Sequence, residues 1–253
     1  MPPVIFDAHF HVIDPRFPLV ANQGFLPDPF TAGDYRQATA GLGITDGAVV
    51  SGSFQAFDQT YLLDALATLG PAFVGVTQLP PDATDAGITA LHAAGVRAAR
   101  VNLRRDRPVT LDDLAALAAR VHDVAGWHVE LYVDSADLAD LAPTLRRLPQ
   151  VVIDHLGLSR AGFGHILDLV AGGALVKATG FGRVDLDVAD ALTRIAGINP
   201  GALMFGTDLP STRAPRAFTP DDVELLTDAL ADDDLVHAAL RGNALGLYRP
   251  RSS

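Results

Sequence analysis

Short apolar runs alternate along the chain with longer segments of helical spacing, and the runs predict buried strands. Each run is rich in Val, Ile, Leu or Phe and is bounded by Gly, Pro, Asp or Ser, which are typical of strand ends and turns. We predict about eight such strands, at residues 4–11, 46–52, 73–79, 96–103, 128–133, 151–155, 175–180 and 203–208.

The segments between these runs carry apolar residues at helical spacing. Leu111, Leu114, Leu117 and Val121, for example, recur every three or four residues. Alternation of strands and helices over the whole chain is typical of a parallel sheet wrapped by helices. The number of strands favours an α/β fold of the (β/α)8 TIM-barrel type, somewhat distorted, over an open doubly wound sheet. The absence of a GxGxxG or GxxxxGK[ST] motif also disfavours a nucleotide-binding open sheet.

The first predicted strand is distinctive because it contains two histidines one residue apart. Alternate side chains of a strand share a face, so the histidines are expected to converge on one place. The alternation predicts one face with Asp7, His9 and His11, and another with Phe6, Ala8, Phe10 and Val12. Two histidines that alternate by chance at a strand end are the other interpretation of this pair.

Composition narrows the range of functions. The 253 residues carry a formal net charge of −11 and no cysteine, and residues 1–253 show no change of composition that would mark a second domain. An acidic chain without a basic run is a poor partner for nucleic acid. No apolar run reaches the length of a membrane span and no signal peptide is evident, so we expect a cytoplasmic protein. Without cysteine there is no disulfide, thiolate nucleophile or cysteine-bound zinc.

Polar residues recur at the carboxyl ends of the predicted strands, where TIM barrels form their active sites. They are His9, His11, Ser51 to Gln55, Gln78, Asn102, Arg104, Tyr132, Asp134, Asp154, His155, Lys177, Arg183 and Asp208. The strand starts are mostly small or apolar. This asymmetry turns the paired histidines into a prediction of an active site. The other histidines are expected to be superficial or structural: His92, His122, His128, His165 and His237.

The ordered set of a His-x-His on the first strand, a histidine ending the sixth and an aspartate ending the eighth resembles the amidohydrolase superfamily. The segments 7–12 (DAHFHV), 152–157 (VIDHLG) and 206–213 (GTDLPSTR) resemble one branch of it more narrowly. This branch holds 2-pyrone-4,6-dicarboxylate lactonase and related sugar-lactone and muconolactone hydrolases. The closing segment 242–248 (GNALGLY) is also similar, so the resemblance extends from the first strand to the last helix.

The resemblance leaves the metal question open. Metal-dependent members usually add a lysine, glutamate, cysteine or histidine ligand on the fourth or fifth strand, where Tyr132 stands in this chain. The lactonase branch works without a bound metal, and the resemblance implies the same here, so no cofactor is favoured. The alternative is an open zinc site formed by His9, His11 and Asp208 with water as the fourth ligand.

A lactone hydrolase needs an activated water and stabilisation of the oxyanion that follows attack. We expect Asp208 to act as the general base. His9, His11 and His155 are expected to polarise the lactone carbonyl by hydrogen bonding. With zinc, the metal would take over both roles and the histidines would be its ligands.

Arginines at the strand ends predict an anionic, carboxylated substrate. Arg100 and Arg104 share one face of the fourth strand with Asn102, and Arg183 follows the seventh. Further substrate contacts are predicted at Tyr132, Ser53 and Gln55, and aromatic cover from Phe25, Phe30, Phe54 and Phe57. The remaining arginines of this region are expected to face solvent or to pair with neighbours such as Asp106: Arg105, Arg107 and Arg213.

The sequence therefore predicts a hydrolase that opens a small anionic lactone. The alternatives are a zinc-dependent hydrolase or decarboxylase of the same superfamily, a sugar-lactone isomerase, and a catalytically silent binding or scaffold protein. The last would lack site residues that are all present here. The sequence names neither the lactone nor the oligomeric state.

Overall fold

A computed structural model describes residues 3–104 and 109–250 and contains the predicted barrel. Eight strands form one parallel sheet in chain order. They are β1 (Ile5–Phe10), β2 (Ile44–Val50), β3 (Phe73–Thr77), β4 (Val96–Asn102), β5 (His128–Tyr132), β6 (Val151–Ile153), β7 (Leu175–Ala178) and β8 (Leu203–Phe205). Beyond the end of β8, the Asp208 amide donates to the His9 carbonyl at 2.7 Å and the His11 amide donates to the Leu209 carbonyl at 2.7 Å, which draws the first and last strands together.

Helices follow each strand and cover the outside of the sheet, except the last helix, which closes one end of the barrel interior. They are α1 (Ala32–Ala38), α2 (Thr60–Leu69), α3 (Asp85–Ala94), α4 (Leu111–Ala125), α5 (Leu138–Leu145), α6 (Phe163–Ala171), α7 (Val188–Ile198), α8 (Asp221–Leu230), α9 (Asp233–His237) and α10 (Asn243–Tyr248). Threonine begins three of them: the side chains of Thr31, Thr84 and Thr110 accept first-turn backbone N–H groups. Within the described ranges, no helix has the length and apolar character needed to cross a membrane.

Two apolar cores lie on opposite sides of the sheet. The larger one packs between the strands and the helices. The smaller one fills one end of the barrel interior, where Tyr248 of α10 stacks on Phe6 with ring centroids 5.4 Å apart. Because this end is sealed by apolar side chains, the polar side chains of the interior collect toward the carboxyl ends of the strands.

The predicted alternation along β1 is wrong in one respect. Phe6 and Ala8 belong to the barrel interior, whereas Ile5 and Phe10 pack in the outer core. Even and odd positions therefore exchange faces within the strand. The exchange coincides with a shift in the β1–β2 register between Asp7 and Phe10.

Asp7 consequently does not share a face with His9 and His11. Its carboxylate lies in the seam between β1 and β8, where it accepts hydrogen bonds from the Thr207 amide (2.9 Å), the Thr207 hydroxyl (2.7 Å) and the Tyr35 hydroxyl (3.0 Å). Burial, only partly offset by these hydrogen bonds, raises the pKa of Asp7 to about 6. The register shift thus leaves Asp7 to tie strands together and turns the two histidines inward.

Candidate active site

Three imidazoles converge on one carboxylate at the carboxyl ends of the strands. Asp208 Oδ1 lies 3.9 Å from His9 Nε2, 3.7 Å from His11 Nε2 and 4.0 Å from His155 Nε2. His9 lies on β1 and His11 directly follows it, His155 lies in the turn after β6, and the aspartate follows β8. All four side chains are buried. The structure therefore brings together the four residues predicted to carry the chemistry.

Two of the converging atoms have no hydrogen-bond partner within the described residues, namely His9 Nε2 and Asp208 Oδ1. Buried polar atoms are nearly always satisfied by protein, water or a ligand. The backbone is also unusual at two of these residues, because Asp208 (φ 58°) and His155 (φ 51°) adopt left-handed conformations. Such conformations cluster at functional sites, because the surrounding structure must hold them in place.

The partner of the outer ring nitrogen fixes the proton position in His11 and allows an inward-facing N–H in His155. His11 Nδ1 is 2.7 Å from the Val50 carbonyl oxygen, which can only accept, so Nδ1 carries the proton and Nε2 of the neutral ring presents a lone pair. His155 Nδ1 is 2.7 Å from the Thr179 hydroxyl, which can donate to it and leave the proton on Nε2. The ring nitrogens that face Asp208 are therefore not equivalent.

His9 has an unexpected neighbour in Lys177. The Lys177 ammonium hydrogen-bonds His9 Nδ1 at 3.2 Å. Asp154 Oδ1 is 3.4 Å from the same nitrogen, yet it makes no hydrogen bond among the described residues. An ammonium can only donate, so we assign Nδ1 as the acceptor in its shorter contact, with Lys177, which places the proton of neutral His9 on Nε2. His9 consequently points an N–H group into the site.

Lys177 belongs to a buried charge network inside the barrel. Its ammonium pairs with Glu130 Oε2 and lies 3.7 Å from Asp154 Oδ1, and Arg100 Nε donates to Asp154 Oδ2 at 3.0 Å. Two cations thus balance two carboxylates. Burial opposes the ionisation of both acids, but Arg100 holds the pKa of Asp154 well below its usual range, and Lys177 holds that of Glu130 below its own. The Tyr248 hydroxyl donates to Glu130 from the sealed end of the barrel.

Burial and neighbouring cations keep two of the histidines neutral. Burial, reinforced by Lys177, lowers the pKa of His9 to about 3. Burial, reinforced by Arg183, also lowers the pKa of His155 well below its usual value, although Asp208 acts in the opposite direction. Both rings are therefore neutral hydrogen-bonding groups at neutral pH.

Arg183 is bound to Asp208 rather than held apart from it. Its Nε donates to Asp208 Oδ2 at 2.9 Å, Nη2 donates to the same oxygen, and Nη2 also lies 3.1 Å from the Thr212 carbonyl. Burial favours the neutral acid, but Arg183, with help from the histidines, holds the pKa of Asp208 below its usual range. Asp208 is thus ionised and keeps only Oδ1 for the site.

The remaining predicted substrate contacts divide into two groups. Arg100, Tyr132 and Ser53 line the cavity above the histidines. Arg104 lies beyond the end of β4 with 45% of its side chain exposed, 3.5 Å from Asp134, and it is not among the described lining residues. Gln55 is also displaced from the predicted role, because Gly52 N donates to its amide oxygen and its nitrogen donates to the Val12 carbonyl.

The cavity above the histidines is small, with a volume of about 30 Å³, below the size range of sites that hold drug-sized ligands. Its described lining consists of His11, Phe25, Gly52, Ser53, Phe54, Arg100, Asn102, Tyr132, His155, Arg183, Asp208, Thr212 and Arg213. Phe25 and Phe54 take the predicted covering positions, whereas Phe57 is exposed and Phe30 packs against the outer core.

Arg213 was expected to face solvent or to pair with a neighbour, and it lines the cavity instead. Arg105 and Arg107, of which the same was predicted, lie outside the described residues. No sequence signal marked Arg213, because the path of the loop after β8 decides where it points. Glu130 and Lys177 did carry a signal, since each is a charge at an inward position of an otherwise apolar strand.

The donor atoms also fit a metal ion. One group is formed by His9, His11 and Asp208 and another by His9, Asp154 and His155, with the potential ligand atoms of each group within 4.8 Å of one another. A cation of the first group would satisfy the orphaned Asp208 Oδ1, but it could bind the orphaned His9 Nε2 only after that nitrogen had lost its proton.

Comparison with known proteins adds a family and named relatives. The amidohydrolase family model matches residues 6–249. A 2-pyrone-4,6-dicarboxylate hydrolase of Comamonas testosteroni is 31% identical over 163 residues, covering 62% of this chain but only 53% of that protein. A 4-sulfomuconolactone hydrolase of Hydrogenophaga intermedia is 26% identical over 230 residues, covering 83% of this chain and 76% of that protein. A crystal structure from Agrobacterium tumefaciens is 26% identical with a TM-score of 0.87, covering 100% of this chain and 98% of that one.

Proposed function

The chain belongs to the amidohydrolase family, and we propose that it opens the ester bond of a small anionic lactone by attack of water. The observation that carries the proposal is the convergence of three imidazoles on Asp208 beneath a cavity lined by arginines. The names of two relatives, a pyrone dicarboxylate hydrolase and a sulfomuconolactone hydrolase, support the substrate class.

Asp208 orients the attacking water and takes its proton. Oδ1 faces the histidines without a hydrogen-bond partner among the described residues, so a water can donate to it. Its depressed pKa makes it a weak base in the free protein. A carboxylate of the bound lactone would compete with Asp208 for Arg183, so that the base becomes stronger when an anionic substrate is in place.

His9 and His155 polarise the lactone carbonyl. Both are neutral, and each can direct an Nε2–H group at the oxygen on which negative charge develops. We assign His11 a role other than carbonyl polarisation, because a neutral His11 ring that donates from Nδ1 to the Val50 carbonyl presents an Nε2 lone pair toward Asp208. It accepts a hydrogen bond from the other hydrogen of the attacking water and so fixes the direction of attack. Collapse of the tetrahedral intermediate then breaks the bond between the carbonyl carbon and the ring oxygen, and the proton held by Asp208 passes to that departing oxygen, which leaves an open hydroxy acid. Proximity of water and carbonyl in this geometry supplies part of the rate enhancement.

We propose that this chemistry proceeds without a metal. A cation held by His9, His11 and Asp208 would supply Lewis-acid polarisation and a more acidic water. Lys177 and Arg183 oppose such a cation, since the ammonium leaves the His9 proton on the ligating nitrogen and the guanidinium already neutralises Asp208. A zinc-ligating histidine usually donates its other N–H to a carboxylate or carbonyl. His11 does so to the Val50 carbonyl, whereas His9 Nδ1 faces the Lys177 ammonium, so the departure from that pattern lies at His9.

The test is turnover of a lactone panel by the chain and by Asp208→Asn. The panel contains 2-pyrone-4,6-dicarboxylate, 4-sulfomuconolactone, and neutral γ- and δ-lactones. We expect the anionic lactones to be opened preferentially and the variant to lose about 10²–10⁴-fold in kcat, because it cannot accept the proton of water. Thermal unfolding checks that the variant is folded. Near-normal turnover by folded Asp208→Asn would rule out Asp208 as the base.

A further inference from the structure

The cavity cations differ in how their charge is balanced. Arg100 is paired with Asp154, and Arg183 is paired with Asp208. Each of these arginines therefore contributes little net positive charge to the cavity, although both retain hydrogen-bonding capacity. An anionic ligand is attracted most strongly by a cation whose charge is not already compensated by a protein carboxylate.

Arg213 meets that requirement. It is half-buried and lines the cavity, and within the described ranges no carboxylate oxygen lies within 4.0 Å of its guanidinium nitrogens. Its Nη2 donates to the Asn22 carbonyl, which is a neutral acceptor. Its guanidinium carbon lies 4.3 Å from the ring centroid of Phe25, so the aromatic ring covers one face of the charge.

Two ordered turns hold this arrangement over the cavity. On one side, Asn22 and Phe25 exchange backbone hydrogen bonds of 3.0 Å around a tight turn, with left-handed Gln23 (φ 51°) and Gly24 (φ 75°) at its tip. On the other side, the Ser211 amide donates to the Asp208 carbonyl at 2.6 Å. This turn lies in the short segment that joins the base, Asp208, to Arg213. Arg213 is thus fixed relative to the reacting groups.

We propose that Arg213, backed by the Asn22–Phe25 turn, is the receptor for an acidic group on the substrate ring, either a carboxylate or a sulfonate. The inference rests on the proposed function and names the residue that recognises the anion. A planar guanidinium can bind either acidic group through two parallel N–H donors. The Asn22 carbonyl occupies one edge of the Arg213 guanidinium and Phe25 covers one face, which leaves another edge for the ligand. The uncompensated charge then selects anionic lactones over neutral ones.

The test is calorimetric binding of two unreactive ring anions, isophthalate and 3-sulfobenzoate, with benzamide as the neutral ring. The variants are Arg213→Gln and Arg213→Lys. The matched control is Arg194→Gln on α7, because Arg194 also covers a phenylalanine ring, that of Phe163 at 5.2 Å, but lies away from the cavity. We expect Arg213→Gln to bind the anions about 10- to 100-fold more weakly, Arg213→Lys to be intermediate, and Arg194→Gln and benzamide binding to be unchanged. Comparison of the two anions distinguishes carboxylate from sulfonate recognition.

Failure of this inference is distinguishable from failure of the proposed function. Wild-type affinity of Arg213→Gln for both anions, or no anion binding by the wild-type chain, would overturn the Arg213 receptor even if lactones are opened. Anion binding that depends on Arg213 in a protein that opens no lactone would retain the receptor and overturn the function. In turnover of an anionic lactone, we expect Arg213→Gln to raise KM about 10-fold or more with little change in kcat.

Discussion

At the residue scale, the positions of single protons divide the work among the three histidines. The Lys177 ammonium leaves His9 as an N–H donor toward the site, whereas the Val50 carbonyl leaves His11 as an acceptor. In the mechanism we propose, these identical side chains around Asp208 therefore perform two tasks, since His9 and His155 donate to the carbonyl oxygen and His11 accepts from water. The tautomers follow from neighbours on β7 and β2, far from the histidines in the chain, so the sequence alone could not separate His11 from His9.

Arg183 should control the acid limb of the pH–rate profile. Asp208 must be ionised, and Arg183 holds its pKa below the usual range against the effect of burial. In Arg183→Gln, burial of Asp208 is no longer opposed by the guanidinium, so the pKa of Asp208 rises. Acidification then protonates Asp208, and abolishes activity, at a higher pH than in the wild-type chain. We expect the acid limb of kcat/KM, which reports the free enzyme, to move up by about one pH unit or more.

The profile is measured on one neutral and one carboxylated lactone, with Arg194→Gln as the control. The control should keep the wild-type limb. An unchanged limb in Arg183→Gln would mean that Arg183 does not set the basicity of Asp208.

At the element scale, the seam between β1 and β8 decides whether the catalytic groups meet. Gly206 lies in that seam, and a Cβ there would come within 2.6 Å of the His9 amide nitrogen and 2.8 Å of Thr179 Cγ2. Only a glycine lets the backbone beyond β8 approach β1 this closely. The same seam holds His9 and Asp208 in register through the Asp208 amide and the His9 carbonyl.

Gly206→Ala should therefore separate the two strands. We expect a loss of about 1–3 kcal/mol in the free energy of unfolding from overpacking, and about 10²-fold in kcat from misplacement of His9 against Asp208. Urea unfolding and steady-state kinetics measure the two effects. Gly246→Ala on α10 is the control, since its Cβ would meet no atom within 4 Å and should be neutral or slightly stabilising. Wild-type turnover in Gly206→Ala would contradict the account of the seam.

The strands and their order could be predicted, because each apolar run is short, rich in aliphatic or aromatic residues and bounded by turn residues. The face exchange in β1 could not, since a register shift depends on how β1 pairs with β2. The Glu130–Lys177 pair joins residues 47 positions apart and needs the closed barrel to bring β5 and β7 together. Gln55 and Arg213 were misplaced for a related reason: loop conformation, which local patterns do not determine, decides where their side chains point.

At the scale of the whole molecule, the buried polar interior makes stability depend on pH. His9 has a pKa of about 3 in the folded protein, against about 6.5 in an unfolded chain. Below pH 6.5 the unfolded chain therefore binds a proton that folded His9 does not, and stability falls as the pH drops. Neutral His155 acts in the same direction. Asp7 acts in the opposite direction. Its pKa of about 6 means that, as the pH drops, the folded protein binds a proton at Asp7 before the unfolded chain does.

We expect acidification from pH 7 to pH 5 to lower the free energy of unfolding through His9 by about 2 kcal/mol, with about 1 kcal/mol returned by Asp7. Asp208 contributes no change in this window, because its depressed pKa makes its stabilisation disappear only at lower pH. Urea unfolding at the two pH values measures the difference. In His9→Gln, the loss in the free energy of unfolding between pH 7 and pH 5 should become smaller or turn into a gain. Equal pH dependence in the variant and the wild-type chain would contradict the buried, neutral state of His9.

The proposed mechanism as a whole requires that the residues of this barrel open an anionic lactone without a metal. The most direct measurement is turnover of 2-pyrone-4,6-dicarboxylate by chelator-treated protein whose zinc, manganese and iron contents have been determined. We predict full activity with far less than one metal ion per chain, and no stimulation on adding zinc. Loss of activity on chelation and its recovery with one equivalent of zinc would contradict the mechanism and make His9, His11 and Asp208 metal ligands.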